Sequence, residues 1–281
     1  VSTTENGAEG AGLIVPVQRP DAGPAGTASV DITLDGKSAR ESAAQVLIEH
    51  LFAHSDTDIP LVSYAVSYRL AEEYIGGDIV DVYHFDNDCV AFAIADISGK
   101  GARAAVHAAL IKYGLRAYSS LGLTPEAVMR AMDRLYLENN TFENVESFAS
   151  VFFAVADPQR RNLIYANGGH EPVLIIAPSG HVTVLAPTAP LIGVFDDQHH
   201  LFRQSNISLE AGSLLVATTD GVTEARTPEG DFFGMERYIA AVLAARDGSP
   251  EAIVERVVSD VQAFTRKPLR DDIAIVAVRF A

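Results

Sequence analysis

The sequence holds a single cysteine, Cys89, set inside an apolar run. A lone thiol excludes an intrachain disulfide framework and any cysteine-based zinc cluster, and it favours a reducing compartment. No uninterrupted apolar stretch approaches the roughly 18 residues needed to span a bilayer. Residues 1–10, VSTTENGAEG, lack the basic and then apolar layout of a secretion signal. The expected location is therefore the cytoplasm, with no membrane contact. Positive charge is also scarce. Against 37 Asp and Glu there are 21 Lys and Arg, for a formal net charge of −16. Nucleic-acid backbones are bound by clustered Lys and Arg, so a nucleic-acid partner is not expected. An initiating Met is absent too, and the chain is expected to be a piece of something longer or a processed form.

What remains is ordinary for a globular protein: 281 residues, 48% hydrophobic and 21% charged, enough to bury a substantial core. Residues 1–42 are rich in Gly, Ala, Pro, Ser and Thr and are read as a flexible arm or linker. Apolar residues between Glu41 and Phe52 recur at helical spacing and predict a short helix there. Strands are expected at Leu61–Tyr68, Asp78–Phe85 and Cys89–Ile97, with a hairpin turn at Asp86-Asn87-Asp88. Helices follow at Ala102–Ser119 and Pro125–Asn139, where Thr124-Pro125 has the form of an N-cap and a first-turn proline. Strands return at Ser147–Ala156, Asn162–Ala166, Pro172–Ala177, His181–Leu185, His200–Ile207 and Ser213–Thr219. Helices at Gly234–Ala245 and Pro250–Phe264 precede a last strand over Asp272–Phe280. This order is not the alternating pattern of a parallel nucleotide-binding sheet. It suits antiparallel sheets packed face to face, with helix pairs outside, in one domain over residues 43–281.

The aspartates fall at strand ends. Cys89–Ala95 is almost wholly apolar and delivers Asp96, Leu214–Thr219 delivers Asp220, and Asp271-Asp272 precede Ile273–Val278. Asp78 follows Gly76-Gly77 and opens another strand, with Asp81 three residues on. Strands this apolar are buried on both faces, so carboxylates at their ends stay ionised only with compensation. Divalent cations would supply it, and all-oxygen ligands select Mg²⁺ or Mn²⁺. Taken singly, each aspartate is more often a turn or cap residue than a ligand; Asp220-Gly221 is a common turn dipeptide. Pattern alone leaves both readings open.

Five segments carry a resemblance. Gly76-Gly77-Asp78-Ile79-Val80-Asp81 resembles the GGD-x-x-D signature of the SpoIIE/RsbU-like branch of the metal-dependent (PPM, type 2C) serine/threonine protein phosphatases. Asp96-Ile97-Ser98-Gly99-Lys100-Gly101, Asn167-Gly168-Gly169-His170-Glu171-Pro172, Thr219-Asp220-Gly221-Val222-Thr223-Glu224 and Asp271-Asp272-Ile273-Ala274 resemble the other elements of that branch, in family order. The resemblance implies an α+β, four-layer αββα sandwich of two antiparallel sheets flanked by helix pairs. It implies two Mn²⁺ or Mg²⁺ ions. Asp78, Asp96 and the backbone carbonyl of Ile97 would hold the dinuclear centre, Asp220 and Asp271 the second ion. Gly77, Asp81, Gly221 and Asp272 would stand just behind these ligands.

The chemistry implied is hydrolysis of a phosphoserine or phosphothreonine by a water shared between the ions, with no covalent catalytic residue. A carboxylate-rich site can attract such an anion once cations invert its local charge. The implied setting is bacterial partner switching, in sigma-factor regulation and stress signalling. There the substrate is a phosphorylated STAS-type anti-sigma-factor antagonist, and an upstream sensor or activator controls the enzyme. The helices after Gly101 correspond to a region that can rearrange and control metal occupancy in related phosphatases. Two other classes stay open: a catalytically silent binding module of the same fold, and a metal phosphodiesterase acting on a small molecule. Whether the helix at 41–52 makes a homodimer is also open. His170 reads better as part of a tight connection than as a general acid, His199-His200 as loop or strand-edge material, and Arg69 as scaffold. Cys89 reads as buried and inert. Gly99-Lys100-Gly101 lacks the leading glycine and the following Ser or Thr of a phosphate loop.

Overall fold

The computed structural model describes residues 28–33, 59–69, 77–85, 89–143, 145–195, 199–267, 269 and 271–281. The predicted helix at 41–52 and the turn at 86–88 lie outside these residues. Among the described residues, eleven strands form two sheets. The first contains β1 (Ala28–Thr33), β2 (Val62–Arg69), β7 (Val173–Ile176), β8 (Val182–Leu185), β10 (Leu214–Thr218) and β11 (Ile273–Phe280), in the order β1-β2-β11-β10-β7-β8. The second contains β3 (Ile79–Phe85), β4 (Cys89–Ile97), β5 (Ala149–Asp157), β6 (Asn162–Gly168) and β9 (Ser205–Ser208), in that order. All pairings are antiparallel except β1 with β2.

Period-2 alternation along each strand explains the continuous apolar runs. In β11, Ala274, Val276, Val278 and Phe280 join the core between the sheets, whereas Ile273, Ile275 and Ala277 face the outer helices. The sheets meet at Phe92 of β4 and Phe280 of β11, whose rings pack edge to face at 5.8 Å. Tyr68 of β2 also bridges them, its hydroxyl donating to the Val80 carbonyl at 3.0 Å. Helices α1 (Ala102–Ser119) and α2 (Pro125–Glu143) cover the five-stranded sheet. A one-turn helix α3 (Asp220–Thr223) precedes α4 (Gly234–Ala245) and α5 (Pro250–Thr265), and α5 packs on β2 and β11. The result is the expected four-layer αββα sandwich. Thr124 and Ser249 each accept from the backbone N–H three residues on, and each is followed by proline, so both helix starts are as the sequence predicts. Among the described residues no helix is long and apolar enough to cross a membrane.

Four differences from the sequence reading have physical causes. The arm expected over 1–42 includes β1, whose backbone pairs in parallel with β2 at the end of the sheet. The strand expected over His200–Ile207 is broken. Residues His199–Leu201 form a 3₁₀ turn, and Arg203 turns back so that its guanidinium takes the His200 and Phe202 carbonyls. Cys89 is half-buried at the start of β4 rather than enclosed.

The fourth correction concerns Asp81, expected beside the metal ligands. Three residues from Asp78 is an odd spacing on a strand, and odd spacings change face. Asp81 therefore looks toward α1, where Arg116 grips it through Nε and Nη2 at 2.6 and 2.7 Å and the Lys112 ammonium lies 3.6 Å away. Asp81 and Lys112 are both 1% exposed. Burial pulls the Lys112 pKa below its ordinary value, and the Asp81 charge opposes that shift. Arg116 also lies over the Tyr83 ring at 4.4 Å. Removing the one carboxylate leaves the buried Lys112 ammonium beside the partly exposed Arg116 guanidinium with no charge between them. Asp81→Ala is expected to cost about 3–5 kcal/mol in urea unfolding, and adding Lys112→Met should recover part of the loss. A midpoint unmoved by Asp81→Ala would show that the pair does not anchor α1.

Candidate metal centre

The strand ends that carry the aspartates come together because the two sheets end on the same edge. In the β3–β4 ladder Ile79 pairs with Ala95, which sets Asp78 beside Asp96. In the β10–β11 ladder Thr218 pairs with Ile275, which brings Asp220 at the exit of β10 level with the Asp271-Asp272 entry to β11. Thr219 stitches the edge together. Its N–H donates to the Ala274 carbonyl at 3.0 Å, its hydroxyl oxygen accepts the Ala274 N–H at 3.0 Å, and its side chain hydrogen-bonds Asp78 of the other sheet.

Two glycines allow the close approach. A Cβ on Gly77 would stand 2.4 Å from the Ile97 carbonyl oxygen, and one on Gly221 would stand 1.9 Å from the Asp272 carbonyl oxygen. Any side chain there would push the carboxylate-bearing segments apart. Gly77 thus lies against the Ile97 carbonyl and Gly221 against the Asp272 carbonyl.

Electrostatics records the crowding. Asp78 is buried, and desolvation raises its pKa well above the carboxylate range, reinforced by Asp96, Asp272 and Asp220 and opposed by the Thr219 hydrogen bond. Burial likewise raises Asp96, with Asp271 and Asp272 adding to it and a hydrogen bond shared with Asp78 opposing it. Burial pushes Asp220 up to about 7, helped by the charges of Asp96, Asp271, Glu224 and Glu171. Asp271 is exposed at the rim and accepts the Asp272 N–H at 3.1 Å. The structure thus brings Asp78, Asp96, Asp220, Asp271 and Asp272 into one electrostatic neighbourhood and leaves Asp81 out of it. Among the described residues, no group of three or more His, Cys, Asp or Glu side chains converges on a single point at metal-binding geometry. The donor set nonetheless fits hard divalent cations: it is all oxygen, partly desolvated and mutually repulsive, and positive charge would relieve each of these costs.

A cleft of about 180 Å³ opens beside Asp96 and Asp220, lined also by Ser98, Ser150, His170 and Glu171. His170 is buried, and desolvation drives its pKa down to about 3, against the pull of the Thr218 carbonyl, so the ring is neutral at physiological pH. Its Nδ1 lies 2.9 Å from the Ser150 hydroxyl and its N–H donates to Asn167 Oδ1 at 2.8 Å. Gly169 between them has φ +68, a conformation open to glycine. These contacts agree with a scaffold role for His170. His199 pairs with the buried Asp133 at 2.8 Å, away from the aspartate cluster. Arg69 ends β2 opposite Ile273.

Sequence reasoning passed over Glu171 and Glu224, both of which act on Asp220. Glu224 stands four residues after Asp220, the spacing that shares a helix face, and recognising the one-turn helix would have exposed it. Glu171 carries no comparable signal, because only the fold brings its loop to α3.

A family model, Stage II sporulation protein E (SpoIIE), matches residues 86–281. The chain is 27% identical over 231 residues to Protein IcfG of Synechocystis sp., covering 73% of this chain and 36% of that protein. It is 27% identical over 202 residues to the phosphoserine phosphatase RsbU of Bacillus subtilis, covering 71% of this chain and 58% of that one. The chain thus spans less than two thirds of the curated relatives it matches. A solved structure of the RsbU and RsbW domains of a Mycobacterium tuberculosis protein superposes with TM-score 0.66 at 21% identity, covering 79% of this chain and 62% of that one. That likeness bears on the fold.

The raised carboxylates set a pH dependence. A carboxyl held near pKa 7 in the fold and about 4 unfolded keeps its proton longer in the native state. Its stabilisation is full below pH 4 and is lost as pH rises through about 7. In chelator the melting temperature is expected to fall between pH 5 and pH 8, less steeply in Asp220→Asn. Equal slopes in the two proteins would contradict the assignment of the raised carboxyl to Asp220.

Proposed function

The chain belongs to the SpoIIE family, the RsbU-like branch of the PPM-type phosphatases, and from that membership we propose that it is a metal-dependent protein serine/threonine phosphatase. The observation that carries the reading is the gathering of Asp78, Asp96, Asp220 and Asp271 from the ends of separate strands in both sheets, each repelling its neighbours. Asp78 and Asp96, with the Ile97 carbonyl, would hold the dinuclear centre; Asp220 and Asp271 would hold the second ion. Asp272 and the two glycines, Gly77 and Gly221, support them. When bound, the pair, Mn²⁺ or Mg²⁺, would supply an acidified water and positive charge for the phosphoryl oxygens.

The protein's own groups do the rest. Asp78 and Asp96 fix the position of the reacting centre relative to the five-stranded sheet, and Asp220 and Asp271 relative to the other. The hydroxyl of Ser98 lines the cleft where a phosphoryl group would enter and can donate to its oxygens, and Ser150 lines the same wall bonded to His170. His170, neutral and bonded to Ser150, orients that wall rather than transferring a proton. No nucleophilic side chain is required.

The substrate class follows from the branch. A phosphorylated STAS-type anti-sigma-factor antagonist is the expected partner, under an upstream sensor or activator, and the likeness to a phosphoserine phosphatase of Bacillus subtilis supports that setting. Hydrolysis of an aryl phosphate and of a phosphoserine protein should depend on Mn²⁺ or Mg²⁺, stop in chelator, and fall about 100-fold or more in Asp220→Asn. A folded, metal-loaded protein that turns over neither substrate would favour the silent binding module. Turnover of phosphodiesters in preference to monoesters would favour the phosphodiesterase.

A further inference from the structure

We propose that Glu171 is a positioning residue for Asp220, acting through Thr223; the assignment rests on the reading of Asp220 as a metal ligand. Helix α3 is four residues long, too short to persist on its own hydrogen bonds. Its N-cap residue, Thr219, makes no side-chain cap bond, so the turn has to be held from outside.

At its start, the paired hydrogen bonds between Thr219 and Ala274 lock the turn to β11. At its end, the Thr223 hydroxyl lies 3.2 Å from Glu171 Oε2 and 3.3 Å from the Asp220 carbonyl oxygen. The carboxylate is the stronger acceptor of the two. Thr223 is 9% exposed, so water competes little for that bond. The turn's own closing bond, Glu224 N–H to the Asp220 carbonyl at 2.7 Å, sits between the two ties.

Glu171 stands on a rigid post. The residue before it is His170, fixed by Asn167 and Ser150, and two residues on Val173 enters the buried strand β7. The Glu171 charge is felt on two sides: by Asp220, and by the fully buried phenol of Tyr238 in α4, whose ionised form it disfavours. The loop between β6 and β7 therefore reaches across to the turn that presents Asp220 and sets where that turn ends. This is a tie between two sequence elements some fifty residues apart, and neither needs to touch a metal to control where Asp220 points.

The test measures Mn²⁺ binding by calorimetry and amide exchange of residues 221–225 in chelator. Thr223→Val, close to isosteric, and Glu171→Ala are each expected to weaken Mn²⁺ binding about ten-fold or more. The double variant should lose no more than the worse single, the signature of a shared contact. Both singles should speed exchange of the turn amides, and Thr223→Ser should restore binding and protection together. Additive losses, or a Thr223→Val protein that binds and exchanges like the wild type, would overturn the proposal. Wild-type protein that takes up no Mn²⁺ would sink the metal reading instead. The exchange pattern would then decide this proposal by itself.

Discussion

Like charges at the ends of buried strands repel one another and resist leaving water, and the architecture here concentrates that cost along one edge. Asp78 and Asp96 come from the five-stranded sheet, Asp220, Asp271 and Asp272 from the six-stranded one, and each acts on carboxylates across the gap. The core that drives the sheets together also drives these groups together. Hydrophobic burial of β4, β10 and β11 on both faces keeps these strands inside their sheets, and the ladder pairings on each side set where they end. The charge cost is thus a consequence of the packing, and hard cations are the chemistry that answers it.

Around this edge the protein spends polar side chains on position. Thr219 joins the two sheets, and Tyr68 joins β2 to β3 through Val80. Strand β3 is held from both sides. Asp78 at its entry faces the carboxylate edge, while Asp81 is clamped by Arg116 and Lys112 from α1. A buried ion pair is weak evidence for stability, but removal of either partner strands the charge of the other. Here it fixes the register of α1 over the strand that delivers Asp78. Movement of that helix would be felt at the candidate metal centre through a single strand.

Much of this was legible from residues. The apolar runs of β4, β10 and β11 and the aspartates closing or opening them pointed to the edge, and the spacing of helices and strands pointed to the layers. Asp81, placed behind the ligands by the resemblance alone, lies against α1, and strand alternation assigns it to that face. The one-turn helix at Asp220 was invisible because four residues carry no helical period. Glu171 was invisible because its contact with Thr223 is made by the fold. The break at residues 200–204 depends on Arg203 capturing nearby carbonyls, which apolar patterning does not register.

The central claim is that these strand ends form one dinuclear site. Anomalous scattering from crystals grown with Mn²⁺ measures it directly. The account predicts two peaks at this edge, one beside Asp78 and Asp96 and one beside Asp220 and Asp271. A lone peak elsewhere on the surface, or no peak at this edge in a folded protein saturated with Mn²⁺, would contradict it.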